Sequence, residues 1–150
     1  MPMPLQHSIV GVNPNWETPQ SLFDEACTLY NVAPSLDVCA TRQNKKCTSF
    51  FSKRDNALGK PWKISFYMNP PYGRKMDVWI EYAYEQHKKH NVTGMALVFS
   101  KTETQWWHKF VQDKAEVHFI KGRVRYEMGG CPSKNTAPYG SCWIIWRKKK

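Results

Sequence analysis

The sequence predicts an α/β fold: a mostly parallel sheet with an antiparallel C-terminal edge and helices on both faces. Three observations carry this. Helical and strand periodicities alternate along the chain, the pattern of a parallel sheet with crossover helices. The apolar run Ile64 to Met68 stops at Asn69-Pro70-Pro71-Tyr72, as a buried strand stops where proline withdraws its N–H from the ladder. The last strand-like runs have short connections, which antiparallel pairing permits and parallel pairing does not.

Thr18-Pro19 reads as the opening of the first helix, since threonine is a good N-cap and proline suits the first helical position. Leu22, Phe23, Ala26, Leu29 and Tyr30 follow at helical spacing. Residues 31–35 read as a turn and Leu36 to Ala40 as a short strand. From Thr41 to Trp62 the chain is polar and basic, broken by Phe50-Phe51. About two dozen residues separate the 36–40 strand from the 64–68 strand. Two full βα units do not fit there, because one crossover already takes ~10–12 residues, so this half of the fold is expected to be trimmed.

Asp77 to about Lys89 reads as a helix with Val78, Trp79, Tyr82 and Ala83 on one face. Gly94 precedes a strand, Met95 to Phe99. Thr104 to Lys114 reads as a helix burying Trp107, Phe110 and Val111. Trp106 and Trp107 are adjacent and cannot share a helix face, so one is expected in the core and the other at a nucleic-acid surface or a lid. Ala115 to Ile120, Arg123 to Met128 and Cys142 to Trp146 read as closing strands. Gly129 to Ala137, rich in turn residues, is expected to be a mobile loop.

At 150 residues, 41% hydrophobic and 14% aromatic, the chain fits one domain with one core. That domain is expected over residues 16–150, with 1–15 as a loose arm that lacks the layout of a signal peptide. No apolar run reaches the ~18 residues of a membrane span. The five cysteines are odd in number and none are two residues apart. That predicts reduced thiols in a cytoplasmic compartment and no zinc knuckle. The five histidines are scattered, so no metal is expected.

The formal net charge is +10, and cationic surfaces attract phosphate backbones by counterion release. Arg42, Lys45, Lys46, Lys53 and Arg54 form an acid-free stretch. Lys121, Arg123 and Arg125 alternate, so on a strand they would share a face. Aromatic residues are interleaved with these clusters, as in many nucleic-acid binders.

The Pro-Pro loop sits where open α/β sheets bind ligands, at the C-terminal edge of a strand. Asn69 offers an amide oxygen and an NH2 group, the prolines offer carbonyls, and Tyr72 offers a π-face. Such a set suits a planar nitrogen heterocycle with an exocyclic amine. The plainer reading is a strand-ending turn.

Asn69-Pro70-Pro71-Tyr72 resembles the catalytic motif of amino-methyltransferases that use S-adenosylmethionine (AdoMet). The whole chain resembles the phage-type DNA N6-adenine methyltransferases, the phage Dam-like family. Trp16-Glu17-Thr18-Pro19 is similar to that family's Trp-x-Thr-Pro. Leu36 to Ala40 is similar to its Leu-Asp-x-x-Ala, and Asp55 to Leu58 with Trp62 to its Asp-x-x-Leu…Trp. Thr104-Gln105-Trp106-Trp107-His108 is similar to its Thr-x-Trp-Phe-His. Gly122 to Tyr126 is similar to its Gly-Arg-x-x-Phe, and Ala137 to Ser141 to its Ala-Pro-Phe-x-Ser. These pieces keep the family's order across residues 16–146.

The resemblance implies a trimmed Rossmann-like methyltransferase fold and methylation of adenine N6 in DNA with AdoMet as cofactor, in a bacterial or phage-infected host cytoplasm. Asn69, Pro70, Pro71 and Tyr72 would be catalytic, with Tyr72 stacking on a flipped-out or single-stranded base. Thr18, Pro19, Asp37, Cys39 and Asp55 would contact the cofactor: Asp37 its ammonium, the helix start at Thr18 its carboxylate, and Asp55 its adenine ring. Plain alternatives are an N-cap for Thr18 and a turn acid for Asp37. Arg42, Lys45, Lys46, Lys101, Thr104, Trp106, Arg123 and Arg125 would face nucleic acid. The chain departs from the broader pattern in having no glycine after its first strand. RNA or protein glutamine as substrate, and a catalytically inactive binding module, remain as rival readings.

Overall fold

Leu36–Asp37 (β1), Ser49–Phe50 (β2), Phe66–Met68 (β3) and Gly94–Phe99 (β4) are parallel neighbours in the order β2-β1-β3-β4. The computed structural model describes residues 16–73 and 75–150; the expected arm, 1–15, lies outside them. After β4 come Glu116–Phe119 (β5), Glu127–Met128 (β6), Cys131–Pro132 (β7) and Ser141–Trp146 (β8). β8 inserts antiparallel between β4 and β5 and completes a six-stranded sheet. The fold is therefore α/β, mostly parallel, with antiparallel pairing on the C-terminal side, as expected.

Alternation along the strands feeds two cores. One face holds Phe66, Met68, Ala96, Val98, Ile144 and Trp146. It is covered by Met76–His90 (α2) through Ile80 and Ala83, and by Gln105–Phe110 (α3) through Trp106 and Trp107. The other face holds Tyr67, Met95, Leu97, Trp143 and Ile145 and is covered by Gln20–Tyr30 (α1) through Phe23 and Ala26. Asn31 and Asn91 end α1 and α2 in the left-handed region, with φ 54° and 49°, as asparagine can at low cost.

The trimming is visible between β1 and β3. No α-helix separates β1 from β2 or β2 from β3; the second link holds only two short 3-10 turns, Lys53–Asp55 and Ala57–Gly59. Trp62 fills the space a helix would cover. It is fully buried, its indole N–H donates to the Ala57 carbonyl at 3.0 Å, and its backbone N–H donates to Gln86 Oε1 at 2.8 Å.

Several expectations need correction. α1 begins at Gln20 with Pro19 in the cap position, and Thr18 does not cap it; the Thr18 hydroxyl bonds the Tyr67 hydroxyl instead. Leu29 is 63% exposed. α2 turns Ile80, Ala83 and His87 inward and leaves Val78 in solvent. α3 ends at Phe110, and both Trp106 and Trp107 are buried. Residues 123–128 do not join the sheet, because Gly122 at φ 78° turns the chain away. Within them β6 pairs with β7 across Gly129-Gly130, whose φ values of 61° and 82° suit a tight hairpin turn, and on its other side Glu127 bridges antiparallel to Glu17. The burial alternation survives: Val124 and Tyr126 point in, and Arg123 and Arg125 point out. No helix among the described residues is long and apolar enough to cross a membrane.

Candidate active site

In the order β2-β1-β3, connections diverge from β1, and open α/β sheets bind ligands at such a point beyond the strands' carboxyl ends. A cavity of about 500 Å³ lies there, a size suited to a cofactor. Its walls come from Trp16 to Thr18, from Asp37 to Thr41 beyond β1, from Asn44 and Lys46, from the stretch around Ser52 to Ala57, and from Asn69, Pro71 and Trp79.

Asp37 is 2% exposed on this wall. Its carboxylate accepts the N–H of Cys39 at 3.2 Å and of Lys46 at 2.9 Å. Burial pushes its pKa up to about 6 against the pull of those two N–H groups and, last, of the Lys46 charge. A carboxylate so placed, bonded only to neutral backbone donors, gains from a cation brought into the cavity. Cys39 beside it stays a thiol, because burial and then the Asp37 charge raise its pKa. Thr18 and Tyr67, hydroxyl to hydroxyl, form a buried part of the lining.

Asn69 follows β3 directly. Its amide nitrogen donates to the Trp16 carbonyl at 2.9 Å. Its Oδ1 lies 2.9 Å from the Tyr72 hydroxyl, which is also 3.1 Å from the Tyr126 hydroxyl. Asn69 Oδ1 can only accept, so the single Tyr72 proton satisfies it, and Tyr126 can donate to Tyr72 in turn. Tyr126 also meets Ser141 Oγ at 2.9 Å. The result is a buried polar chain from β8 to Asn69. One lone pair of Oδ1 remains for a further donor.

Tyr72 is not the free stacking face expected of it. It is 4% exposed. Phe99 stacks on it at 4.4 Å and 23°, and Trp16 and Tyr126 meet it edge-on. A tyrosine one residue past two prolines folds back onto the sheet because aromatic neighbours from β4 and from Tyr126 enclose it.

The structure gathers Thr18, Asp37, Cys39, Asn69 and Pro71 around one cavity and leaves others outside. Pro19 is not on its wall. Asp55 is exposed and caps the first 3-10 turn, accepting from Ser52 N at 2.7 Å and Ser52 Oγ at 3.0 Å, bonds that lower its pKa. Among the residues expected to face nucleic acid, Lys46 lines the cavity and Arg42 and Arg123 are exposed. Lys45 reaches the Thr48 carbonyl and lies over the Phe50 ring. Lys101 lies over the Tyr139 ring. Arg125 is spent on the Ser133 and Lys134 carbonyls at 2.9 and 2.8 Å. Thr104 caps α3, accepting the Trp107 N–H, and buried Trp106 offers no face to a base.

Sequence reasoning missed Trp16, Glu17, Tyr126 and Ser141 as site residues. Trp16 stacks on Tyr126 at 5.4 Å and 11°. Glu17 accepts from Asn44 Nδ2 at 2.9 Å and from the Gly130 N–H at 3.0 Å, tying the β6–β7 hairpin to the loop after β1. The available signal was the Trp-Glu-Thr-Pro string, whose first two residues carry these contacts.

A family model described as DNA N-6-adenine-methyltransferase (Dam) matches residues 7–150. The DNA N-6-adenine-methyltransferase of Escherichia phage T1 is 29% identical over 117 residues, which cover 77% of this chain and 48% of that protein. The chain thus spans about half the length of that relative. YfdM of Escherichia coli strain K12, named as a methyltransferase, is 32% identical over 73 residues, covering 44% of this chain and 79% of that protein. No solved structure matches.

Proposed function

The chain belongs to the DNA N-6-adenine-methyltransferase (Dam) family, and from that premise we propose that it transfers a methyl group from AdoMet to the exocyclic N6 amine of adenine in DNA, within a bacterial or phage-infected host cytoplasm. The observation that carries this is the placement of Asn69. Its oxygen keeps one free lone pair on the rim of a cavity whose wall buries the Asp37 carboxylate.

The donor set fits AdoMet, a cationic cofactor. Asp37 would take its ammonium group, and Thr18, Cys39 and Trp79 would complete the contact surface. When bound, AdoMet supplies an electrophilic methyl group on a sulfonium. Everything else falls to the chain. An adenine amine is a poor nucleophile because its lone pair is delocalised into the ring. Asn69 Oδ1 and the Pro70 carbonyl accept its two N–H bonds, which favours a pyramidal nitrogen with a localised lone pair. The amine turns acidic only after it has gained the methyl group, so no strong base must precede attack, and a neutral asparagine suffices. A base inside a duplex cannot reach this loop, so it is flipped out or met in a single strand.

The test is methylation of DNA and RNA with labelled AdoMet, followed by nucleoside mass analysis. Label in N6-methyladenine from DNA is the expected result. Label confined to RNA, or no transfer at all, overturns the proposal.

A further inference from the structure

Tyr72 is buried, so a nucleic-acid strand needs another aromatic surface at this sheet edge. β4 and β8 are neighbours with Phe99 opposite Ser141, so the residues after Phe99 and before Ser141 meet beside the Asn69 loop. The Ser100 N–H donates to the Gly140 carbonyl at 2.9 Å. The Thr104 hydroxyl donates to the Lys101 carbonyl at 2.7 Å. These bonds hold Tyr139 and Lys101 together, with the Lys101 ammonium 3.3 Å from the Tyr139 ring centroid.

Tyr139 is 43% exposed and leans on Phe99 at 5.3 Å. Phe99 in turn stacks on Tyr72, whose hydroxyl holds Asn69. The order along the sheet edge is cavity, Asn69, Phe99, Tyr139. With a methyl donor on the β1 side, the substrate strand approaches from the β4–β8 side, where this aromatic and this cation sit.

Building on the function proposed above, we propose that Tyr139 and Lys101 grip the DNA strand that carries the target adenine. The ring stacks on a base flanking the target, and the ammonium meets a phosphate of the same strand. An exposed cation–π contact is weak, so the lysine exchanges the ring for a phosphate readily. Stacking of this kind tolerates any base, since every base has a π-face.

The experiment titrates a fluorescent single-stranded DNA containing one adenine against the protein with AdoMet present, at several salt concentrations. Tyr139→Ala is expected to weaken binding about ten- to a hundredfold and Tyr139→Phe to stay within about twofold, with melting temperature and AdoMet affinity unchanged. Tyr139→Gln, which keeps a polar surface, is expected to follow Ala and replaces it if the Ala variant folds poorly. Lys101→Gln is expected to lower the slope of log affinity against log salt by about 0.7. Unchanged binding in Tyr139→Ala and Tyr139→Gln, or equal losses in Phe and Ala, overturns the stacking role; an unchanged slope in Lys101→Gln overturns the phosphate contact. If the wild-type protein methylates adenine while Tyr139→Ala binds normally, the grip fails and the activity stands. If binding depends on Tyr139 and no adenine is methylated, the activity fails and the grip stands.

Discussion

The Tyr72 hydroxyl fixes the amide of Asn69 from one side at 2.9 Å, while the Trp16 carbonyl fixes it from the other at 2.9 Å. An asparagine side chain can turn its amide over; this one is held with its oxygen as the only group left to accept. Tyr72 thereby positions Asn69, and its ring is enclosed by Phe99, Trp16 and Tyr126.

Tyr72→Phe separates the hydroxyl from the ring. It removes the bond to Asn69, with a net hydrogen-bond contribution of about 0.5–1.5 kcal/mol, so kcat is expected to fall roughly two- to tenfold with KM for AdoMet unchanged. Tyr72→Ala removes a buried ring and is expected to cost about 3–5 kcal/mol of stability. Melting curves and steady-state kinetics check both. Wild-type kcat in Tyr72→Phe would contradict the positioning role.

Asn69→Ala removes the acceptor itself. Methyl transfer is expected to fall at least ~100-fold, the scale for losing one preorganised hydrogen-bonding group at a reacting centre. Calorimetric AdoMet affinity is expected to stay near wild type, because Asp37 and Thr18 are untouched. Near-normal turnover in the purified variant would remove Asn69 from the mechanism.

Asp37 gives the cofactor-free protein a pH signature. Its pKa in the folded chain, about 6, lies above the ordinary 3.8. Between these values the folded chain holds a proton that the unfolded chain has released, so stability falls as pH rises. The contribution is fully present below about pH 4 and gone above about pH 6, about 3 kcal/mol in all. The difference in melting between wild type and Asp37→Asn is expected to follow that window. AdoMet affinity is expected to rise about tenfold per pH unit up to pH 6 and then level off, as the charged carboxylate takes over. A pH-independent affinity across that window would argue against an Asp37–ammonium contact.

Gly94 opens β4 against β3. A Cβ added there would lie 2.3 Å from the Phe66 ring, and that ring is wedged edge-on against Trp62. Gly94→Ala is expected to cost about 1–3 kcal/mol as overpacking, seen as a lowered denaturation midpoint with unchanged m-value. A midpoint equal to wild type would show that Phe66 can move aside.

DNA affinity is expected to fall steeply with salt, because Lys and Arg contacts release counterions. Arg123 is exposed, and Arg123→Ala is expected to reduce the slope for duplex DNA by about 0.9 if its guanidinium meets a phosphate. A salt-independent affinity would exclude the basic surface as the binding face.

The Asn69 loop was legible because its signal is local: an apolar run cut off by two prolines needs no partner to be read. Asp37 was legible only with the family resemblance, since an acid at the end of a short strand reads as readily as a turn acid. The support behind them was not. Tyr126 reaches Tyr72 across 54 residues and Ser141 reaches Tyr126 across 15, and no periodicity encodes such meetings. Trp106 misled because a six-residue helix packed beside α2 over one core cluster can bury two neighbouring side chains, whereas the facing rule assumes one covered side. Arg125 misled because alternation revealed that it points outward and not that two loop carbonyls await it there.

β8 follows the other five strands of this sheet in the sequence, yet it lies inside the sheet with β4 on one flank and β5 on the other. Until it is synthesised, β4 and β5 have no shared neighbour, and both present open hydrogen-bonding edges of the kind that recruits other chains. A chain that stops short of Ser141 is therefore expected to aggregate more readily than the complete sheet. Ser141 also ends the polar chain that reaches Asn69 through Tyr126 and Tyr72, so the same translation event that closes the sheet completes the support of the proposed site.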